Sequence, residues 1–311
     1  MHTVKIGTRG SKLALWQAYH VADLLKAKGI PSEIVIIETK GDKILDVSIA
    51  KIGSKGVFTE ELEEQLAKGS IDIAVHSAKD MQSSLPEGFE LIAFTEREKV
   101  NDIILSHKKD LDYKNPNQQL ILGTSSTRRV ATLKHYYPHI KTVEVRGNLQ
   151  TRIAKMESGI CDALLLAYAG AHRLGYDDMI MHELSLDEFT PAVGQGSVAI
   201  EAFTNMDQDL KAKIIEATHH EETGYRLLAE RAYLRVLEGG CSIPVFALAE
   251  YDGERVKLKG GIVSLDGSER IVKEVSGSNN EAENLGKILA DQVLSAGGDK
   301  ILKEIKSALN K

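Results

Sequence analysis

The sequence predicts an α/β protein of two lobes followed by a small C-terminal α+β domain, and three observations carry that expectation. Over the first two-thirds of the 311 residues, β-branched runs alternate with apolar residues at helical spacing. Such alternation implies mainly parallel or mixed sheets covered by helices on both faces. The mixed-charge piece Glu96-Arg97-Glu98-Lys99 interrupts the alternation and reads as a hinge between two lobes. From about residue 219 the pattern changes to one long amphipathic helix and three strand runs meeting at Asp252-Gly253 and Asp266-Gly267. Asp-Gly between apolar runs is a strong hairpin signal, because Gly accepts the positive φ that tight turns need.

Taken in order, Val4 to Gly7 reads as a strand, and Ser11 as the N-cap of a helix whose apolar positions are Leu13, Trp16, His20, Val21, Leu24 and Leu25. Gly29 stops it. Ile34 to Glu38 is a second strand. Thr59 with Glu60 and Glu61 opens a helix to Gly69, its acids at the end the helix dipole favours. Ile71 to Val75, Glu90 to Phe94 and Asp102 to Leu105 follow as strands. Two strand-turn-helix units then carry Arg128, Arg129, Arg146 and Arg152, the second opening on the run Thr142 to Val145. Cys161 to Leu166 and Ser197 to Phe203 are further strands, and His219 to Leu237 is the long helix. Helices over Glu281 to Leu294 and Asp299 to Leu309 close the chain.

Composition narrows the function. A net charge of −6 argues against general nucleic-acid binding, which needs a basic face. The most apolar window, Ala163 to Ala171, is too short to span a bilayer, and the opening residues read as a strand, so a cytoplasmic location is expected. Cys161 and Cys241 are the only cysteines, and their spacing suggests neither a disulfide framework nor a zinc site. Cys161 opens an apolar run and is expected to be a packing residue, whereas Cys241 sits in the loop Gly239-Gly240-Cys241-Ser242-Ile243-Pro244.

The four arginines of residues 123–152 stand out in an acidic chain. Each turn that carries them follows a strand and opens a helix, where backbone N–H groups and the helix dipole point outward. Two such turns suit one anion bearing several carboxylates or phosphates. Gly7-Thr8-Arg9-Gly10-Ser11 repeats the design. Val75-His76-Ser77-Ala78-Lys79-Asp80 places a Lys and an Asp where a strand ends, the usual ligand position in open α/β sheets. Lys51-Ile52-Gly53-Ser54-Lys55-Gly56 is glycine-rich but lacks the Gly-Lys-Ser/Thr ending of a P-loop.

Together, GTRGSKLALWQA (7–18), KGDKILD (40–46), KIGSKGVFTEELE (51–63), VHSAKDM (75–81), GTSSTRR (123–129), VRGNLQTR (145–152), PAVGQG (191–196) and GGCSIPV (239–245) closely resemble the porphobilinogen deaminase (hydroxymethylbilane synthase) family. The match runs in order from Lys5 to about Val245. It implies stepwise condensation of four porphobilinogen molecules with loss of ammonia, then hydrolytic release of a linear tetrapyrrole. It also implies a dipyrromethane primer held by a thioether to Cys241, with no metal. By the same resemblance Asp80 is the catalytic carboxylate. Lys79, Ser125, Ser126, Arg128, Arg129 and Arg146 bind the cofactor, and Arg9, Ser11, Arg146, Arg152 and Arg173 bind substrate carboxylates. Lys51, Lys55 and Phe58 belong to a flexible loop, and Gln195 is a lesser site candidate.

The family's fold is two α/β lobes like those of type II periplasmic binding proteins, with the third domain carrying the cofactor cysteine. The corresponding boundaries here are 1–96 with 197–216, 97–196, and 217–311. The expected partners are porphobilinogen and the growing polypyrrole chain, without nucleic acid or membrane, in a monomer. In many family members Lys-Asp is followed by a hydrophobic residue and Pro. Here Met81-Gln82 follows and the next proline is Pro86, which leaves the path of that loop open. A non-catalytic two-lobe anion-binding protein would share the arginines but leaves Asp80 and the Cys241 loop without a role.

Overall fold

The computed structural model describes residues 2–40, 59–240 and 242–309, and its strands form three sheets. The first contains β1 (Val4–Thr8), β2 (Ser32–Ile36), β3 (Ile73–Ser77), β4 (Phe89–Phe94) and a late strand, Val198–Phe203, in the order β2-β1-β3-late strand-β4. The second contains β5 (Asp102–Leu105), β6 (Ile121–Gly123), β7 (Lys141–Val143), β8 (Ala163–Ala167) and β9 (Ile180–Glu183), in the order β7-β6-β8-β5-β9. The late strand of the first sheet is β10.

The two sheets share one plan. Three strands are parallel in each, β2-β1-β3 and β7-β6-β8. The next strand, β10 or β5, runs antiparallel to both of its neighbours. That antiparallel strand is the one the chain forms on arriving from the other lobe. The two crossing segments lie side by side: Thr95 N–H donates to Val198 O at 3.1 Å, and Glu98 N–H to Gly196 O at 3.1 Å.

Burial explains the parallel strands. β8, Ala-Leu-Leu-Leu-Ala, is buried at every position, as a strand covered on both faces must be. On the first sheet, α1 (Lys12–Ala27) places Ala18, Val21 and Leu25 against Val4, Ile6, Ile73 and Val75. Ser11 caps α1, its hydroxyl accepting from Ala14 N–H at 3.3 Å.

Several boundaries differ from the sequence reading. β2 and β3 are displaced by two residues, and β7 stops at Val143 because its parallel partner β6 is only three residues long. Thr59 precedes α2 (Glu60–Ala67) but does not cap it; its hydroxyl accepts from Gln82 Nε2 at 3.3 Å instead. Strand β9 was not anticipated.

The third sheet is an antiparallel meander of β11 (Val245–Tyr251), β12 (Arg255–Val263) and β13 (Arg270–Ser278), with Gly253 (φ +104°) and Gly267 (φ +79°) in its turns. The intervening helices are α3 (Thr127–Tyr136), α4 (Leu149–Glu157), α5 (Tyr168–Arg173), α6 (Gln208–Thr218) and α7 (Glu221–Val236). Helix α6 was also missing from the sequence reading, and α7 begins two residues later than read there. With α8 (Ala282–Val293), α7 covers the third sheet, and α9 (Asp299–Leu309) follows. The tip of the β12–β13 hairpin seats on α3, where Gly267 O accepts from His135 Nδ1 at 2.7 Å. A Cβ at Gly267 would meet His135 N at 2.7 Å, so the position needs glycine for space as well as for φ. Among the described residues no helix is long and apolar enough to cross a membrane.

Candidate active site

Four strand ends deliver the expected site residues. β3 runs into a short 3-10 turn, Ala78–Asp80, which leaves Lys79 half-buried and Asp80 exposed. β6 ends at Gly123, and Ser126 then caps α3, its hydroxyl accepting from Arg129 N–H at 3.5 Å. After β7, Asn148 caps α4 through Thr151 N–H at 2.9 Å. β1 leads through half-buried Arg9 to the Ser11 cap.

Arg128 and Arg129 occupy the first turn of α3, where the helix dipole disfavours cations. The compensation is Asp102, the wholly buried first residue of β5. Its carboxylate meets Arg128 at 2.8 Å and Arg129 at 2.7 Å, and accepts from Gln195 Nε2 at 2.9 Å. Burial alone would raise the Asp102 pKa, but the two guanidiniums hold it well below the usual carboxylate range. Arg128 Nη1 also donates to Thr190 O, while its buried Nε has no partner among the described residues. Arg129 is more fully committed, donating to Asp102, to Leu165 O and to Gln195 Oε1.

The lobes meet electrostatically around Lys79. Burial pulls its pKa down to about 8; Asp80 opposes that shift, and Arg129 and Arg152 reinforce it. Arg152 is lowered to about 10, by burial and then by Arg129, with Asp80 acting the other way. Its Nε donates to Gly147 O at 2.8 Å, folding the side chain back over its own turn. Among the described residues, the carboxylates in the field shared by Lys79, Arg128, Arg129 and Arg152 are Asp80 and Asp102. Arg146 is half-buried, its Nε 3.8 Å from Glu144. Arg173 reaches the crossing instead, donating to Gly196 O at 2.8 Å.

The crossing braces the Asp80 turn. Gly194 has φ +75°, and a Cβ there would lie 3.0 Å from Lys79 N and 2.9 Å from Ala78 C. Its N–H donates to Glu230, a buried acid of α7 that also grips Arg97 at 2.6 Å and Ala249 N–H at 2.8 Å. Beyond Asp80, Gln82 stands where many family members have proline. It donates to Thr59 and Glu63, and its carbonyl accepts from Arg231 at 2.8 Å. A proline has no side-chain donor to make the first two bonds.

Against known proteins, one family model, described as porphobilinogen deaminase, dipyromethane cofactor binding domain, matches residues 4–212. A second, porphobilinogen deaminase, C-terminal domain, matches residues 225–295. The chain belongs to the porphobilinogen deaminase family. The porphobilinogen deaminase of Cytophaga hutchinsonii is 59% identical over 309 residues, covering 99% of each chain. That of Desulfosudis oleivorans is 54% identical over 303 residues, covering 97% of this chain and 98% of its own. Among solved structures, the periplasmic VFT2 domain of Bordetella pertussis BvgS overlaps with TM-score 0.43 at 15% identity, over 69% of this chain and 86% of its own. The methionine-binding protein MetQ overlaps with TM-score 0.42 at 13% identity, over 69% and 89%.

The site chemistry fits the family's dipyrromethane, whose side chains are carboxylates. Among the described residues, cations outnumber carboxylates around Lys79, and Arg128 Nε is a buried donor without a partner. Cys241, Lys51, Lys55 and Phe58 lie outside the described residues; beside Cys241, Ile243 N–H donates to Gly240 O at 3.0 Å. Ser125 is exposed at the α3 turn. Cys161 is buried, as expected for a packing residue.

Sequence reasoning missed Asp102 as counter-ion and Glu230 as the link between crossing and third sheet. The one local signal for Asp102 was a charge opening the apolar strand Asp-Ile-Ile-Leu.

Proposed function

We infer that this chain performs its family's reaction, condensing porphobilinogen units head to tail onto a dipyrromethane primer with loss of ammonia and then releasing hydroxymethylbilane by hydrolysis. One observation carries the residue assignment: an exposed carboxylate, Asp80, beside a half-buried lysine and within the electrostatic reach of Arg152 from the other lobe. When bound, the dipyrromethane would supply the free terminal pyrrole carbon that takes the first unit, each later unit joining the terminal pyrrole of the growing chain.

Asp80 accepts the pyrrole N–H of the incoming unit and balances the positive charge that gathers on that nitrogen as ammonia leaves. Lys79 and the α3 arginines hold acetate and propionate groups, Arg128 through its free Nε and Lys79 through an ammonium. Arg129, tied to Asp102 and Gln195, works mainly as fixed positive charge. Arg9, Arg146, Arg152 and Arg173 take carboxylates of substrate and growing chain, with Ser11, Ser125 and Ser126 as neutral donors. Lys51, Lys55 and Phe58 cover the cleft. Cys241 carries the primer through a thioether, since a thiolate adds readily to an electrophilic methylene-pyrrole.

We read the chain as three units, 1–96 with 197–216, 97–196, and 217–311, and as a cytoplasmic monomer. Intact mass spectrometry tests the central claim. The purified protein should exceed its 34.1 kDa chain mass by two linked pyrrole units, with the adduct mapping to Cys241. Cys241→Ser should lack it and Cys161→Ser should keep it. An adduct retained on Cys241→Ser overturns the attachment assignment. Protein that never acquires an adduct, even with porphobilinogen, points instead to a non-catalytic anion binder.

A further inference from the structure

A cavity of about 930 Å³ lies behind the segment that follows Asp80, between β4, the end of α6 and the outer face of α7. Its walls are largely apolar: Leu85, Phe89 and Phe94 on one side, Leu228 on the other. Leu228 stays 43% exposed in the middle of α7 because it borders this open space.

The cavity also has a charged end. Arg231, one turn beyond Leu228, is only 7% exposed and lines the space. Its Nη2 donates to Gln82 O at 2.8 Å, but its buried Nη1 has no hydrogen-bond partner, and no carboxylate lies within ion-pair distance among the described residues. Burial, and then Arg235 on the next turn, lowers its pKa to about 10, with the buried carboxylate of Glu201 acting the other way from beyond ion-pair distance. Arg235 is exposed and reaches Glu283 at 3.5 Å. The acids bordering the cavity are engaged: Glu216 pairs with Lys28 at 3.2 Å, and Glu221 accepts from the Tyr225 hydroxyl at 2.6 Å.

A buried guanidinium with an unpartnered N–H and no direct ion pair is costly, and its planar fork matches a carboxylate better than any other small group. The other cation of the lining, Arg235, is already at Glu283, and the remaining donors are neutral groups such as Ser83, Ser84 and His219, so the charge of the space suits one carboxylate rather than a polyanion, which would have to shed its hydration against Phe and Leu side chains. Cavities of this size with apolar walls and few convergent polar groups are the usual form of small-molecule sites. We propose that this cavity binds a small aromatic monocarboxylate, its carboxylate on Arg231 and its ring between Phe89, Phe94 and Leu228. The site is separate from the arginine cleft and independent of the reaction assigned to it. Because Arg231 also holds Gln82, an occupant is linked through one side chain to the segment that carries Asp80.

The probe is 2-naphthoate, titrated into the whole protein by calorimetry against the neutral 2-naphthylmethanol. The carboxylate should bind at least about tenfold more tightly, the margin a charge-assisted pair supplies. Hydrogen exchange should then show protection in residues 82–91 and 215–231. Leu228→Glu places a like charge on the apolar wall at an exposed helix position, so it folds and should weaken 2-naphthoate about tenfold or more. Arg231→Gln should do the same, though it also disturbs Gln82, which makes Leu228→Glu the deciding variant. Equal binding of the neutral compound, unchanged affinity in Leu228→Glu, or protection confined to residues 123–152 would overturn the proposal.

Discussion

The guanidinium of Arg173 lies over the indole of Trp16, 4.8 Å from the ring centroid, joining the end of α5 in the second lobe to α1 in the first. His20 stacks on the same indole at 5.2 Å, and burial and then Arg173 lower its pKa. Trp16 thus holds a cation assigned to substrate carboxylates where the lobes meet. A cation–π contact of this kind is worth about 0.5–2 kcal/mol, or roughly a factor of two to thirty in affinity. Trp16→Leu should raise KM by that factor with little change in kcat. Trp16 is the single tryptophan of the chain, so porphobilinogen should shift its emission in the parent protein and not in Arg173→Leu. An unaltered KM in Trp16→Leu would remove Trp16 from any positioning role.

Asp102→Asn should be more damaging than a change at any of its arginine partners. It leaves two adjacent buried guanidiniums without a counter-charge, and breaking a buried pair from one side typically costs about 3–5 kcal/mol. The sign with pH follows from the depressed pKa. The stabilisation is fully present above the unfolded carboxylate value near ~4 and is lost as pH falls below it. Denaturant titrations from pH 7 to pH 2 should therefore show the gap between parent and variant narrowing toward the acid end. A constant gap across that range would contradict the assignment.

Lys79 offers a second titration. Its folded pKa of about 8 lies below the ordinary lysine value, so burial disfavours the protonated form. The fold is relieved of that charge as pH rises from about 8 toward the unfolded value, and stability from this group increases across that window. Binding runs the other way, because a carboxylate favours the ammonium. Porphobilinogen KM should rise as pH passes above about 8, and binding there should take up a proton. Calorimetry in buffers of different ionisation enthalpy measures that uptake, which Lys79→Arg should abolish.

Asp80→Asn retains size and one acceptor while deleting the charge. In a primer-loaded protein kcat should fall by about 10² or more, with Asp80→Glu recovering part of it. Primer loading is scored separately by mass, so a folding defect and a chemical one are distinguishable. Near-normal turnover in loaded Asp80→Asn would end the charge-balancing role.

The sequence alone determined the strand-turn-helix units, the helix cap at Ser11, the Asp-Gly hairpins and the order of family segments. These are encoded by neighbours within a few residues: apolar spacing, a capping hydroxyl, a glycine at positive φ. Only the tertiary structure decided which residues share the site. Asp102 meets Arg128 and Arg129 from a strand 26 and 27 residues earlier, and Gln195 reaches the same carboxylate after a further excursion through the lobe. Glu230 joins Arg97, Gly194 and Ala249 across separations of 133, 36 and 19 residues. No local pattern announces such pairings, because a buried charge is made tolerable by its partner in space rather than by its neighbours in the chain. The same reason separates the arginines: all resemble one another in sequence, yet burial and counter-charge leave Arg128 with a free donor and Arg129 without a free forked face, while Arg173 is drawn to an indole in the other lobe.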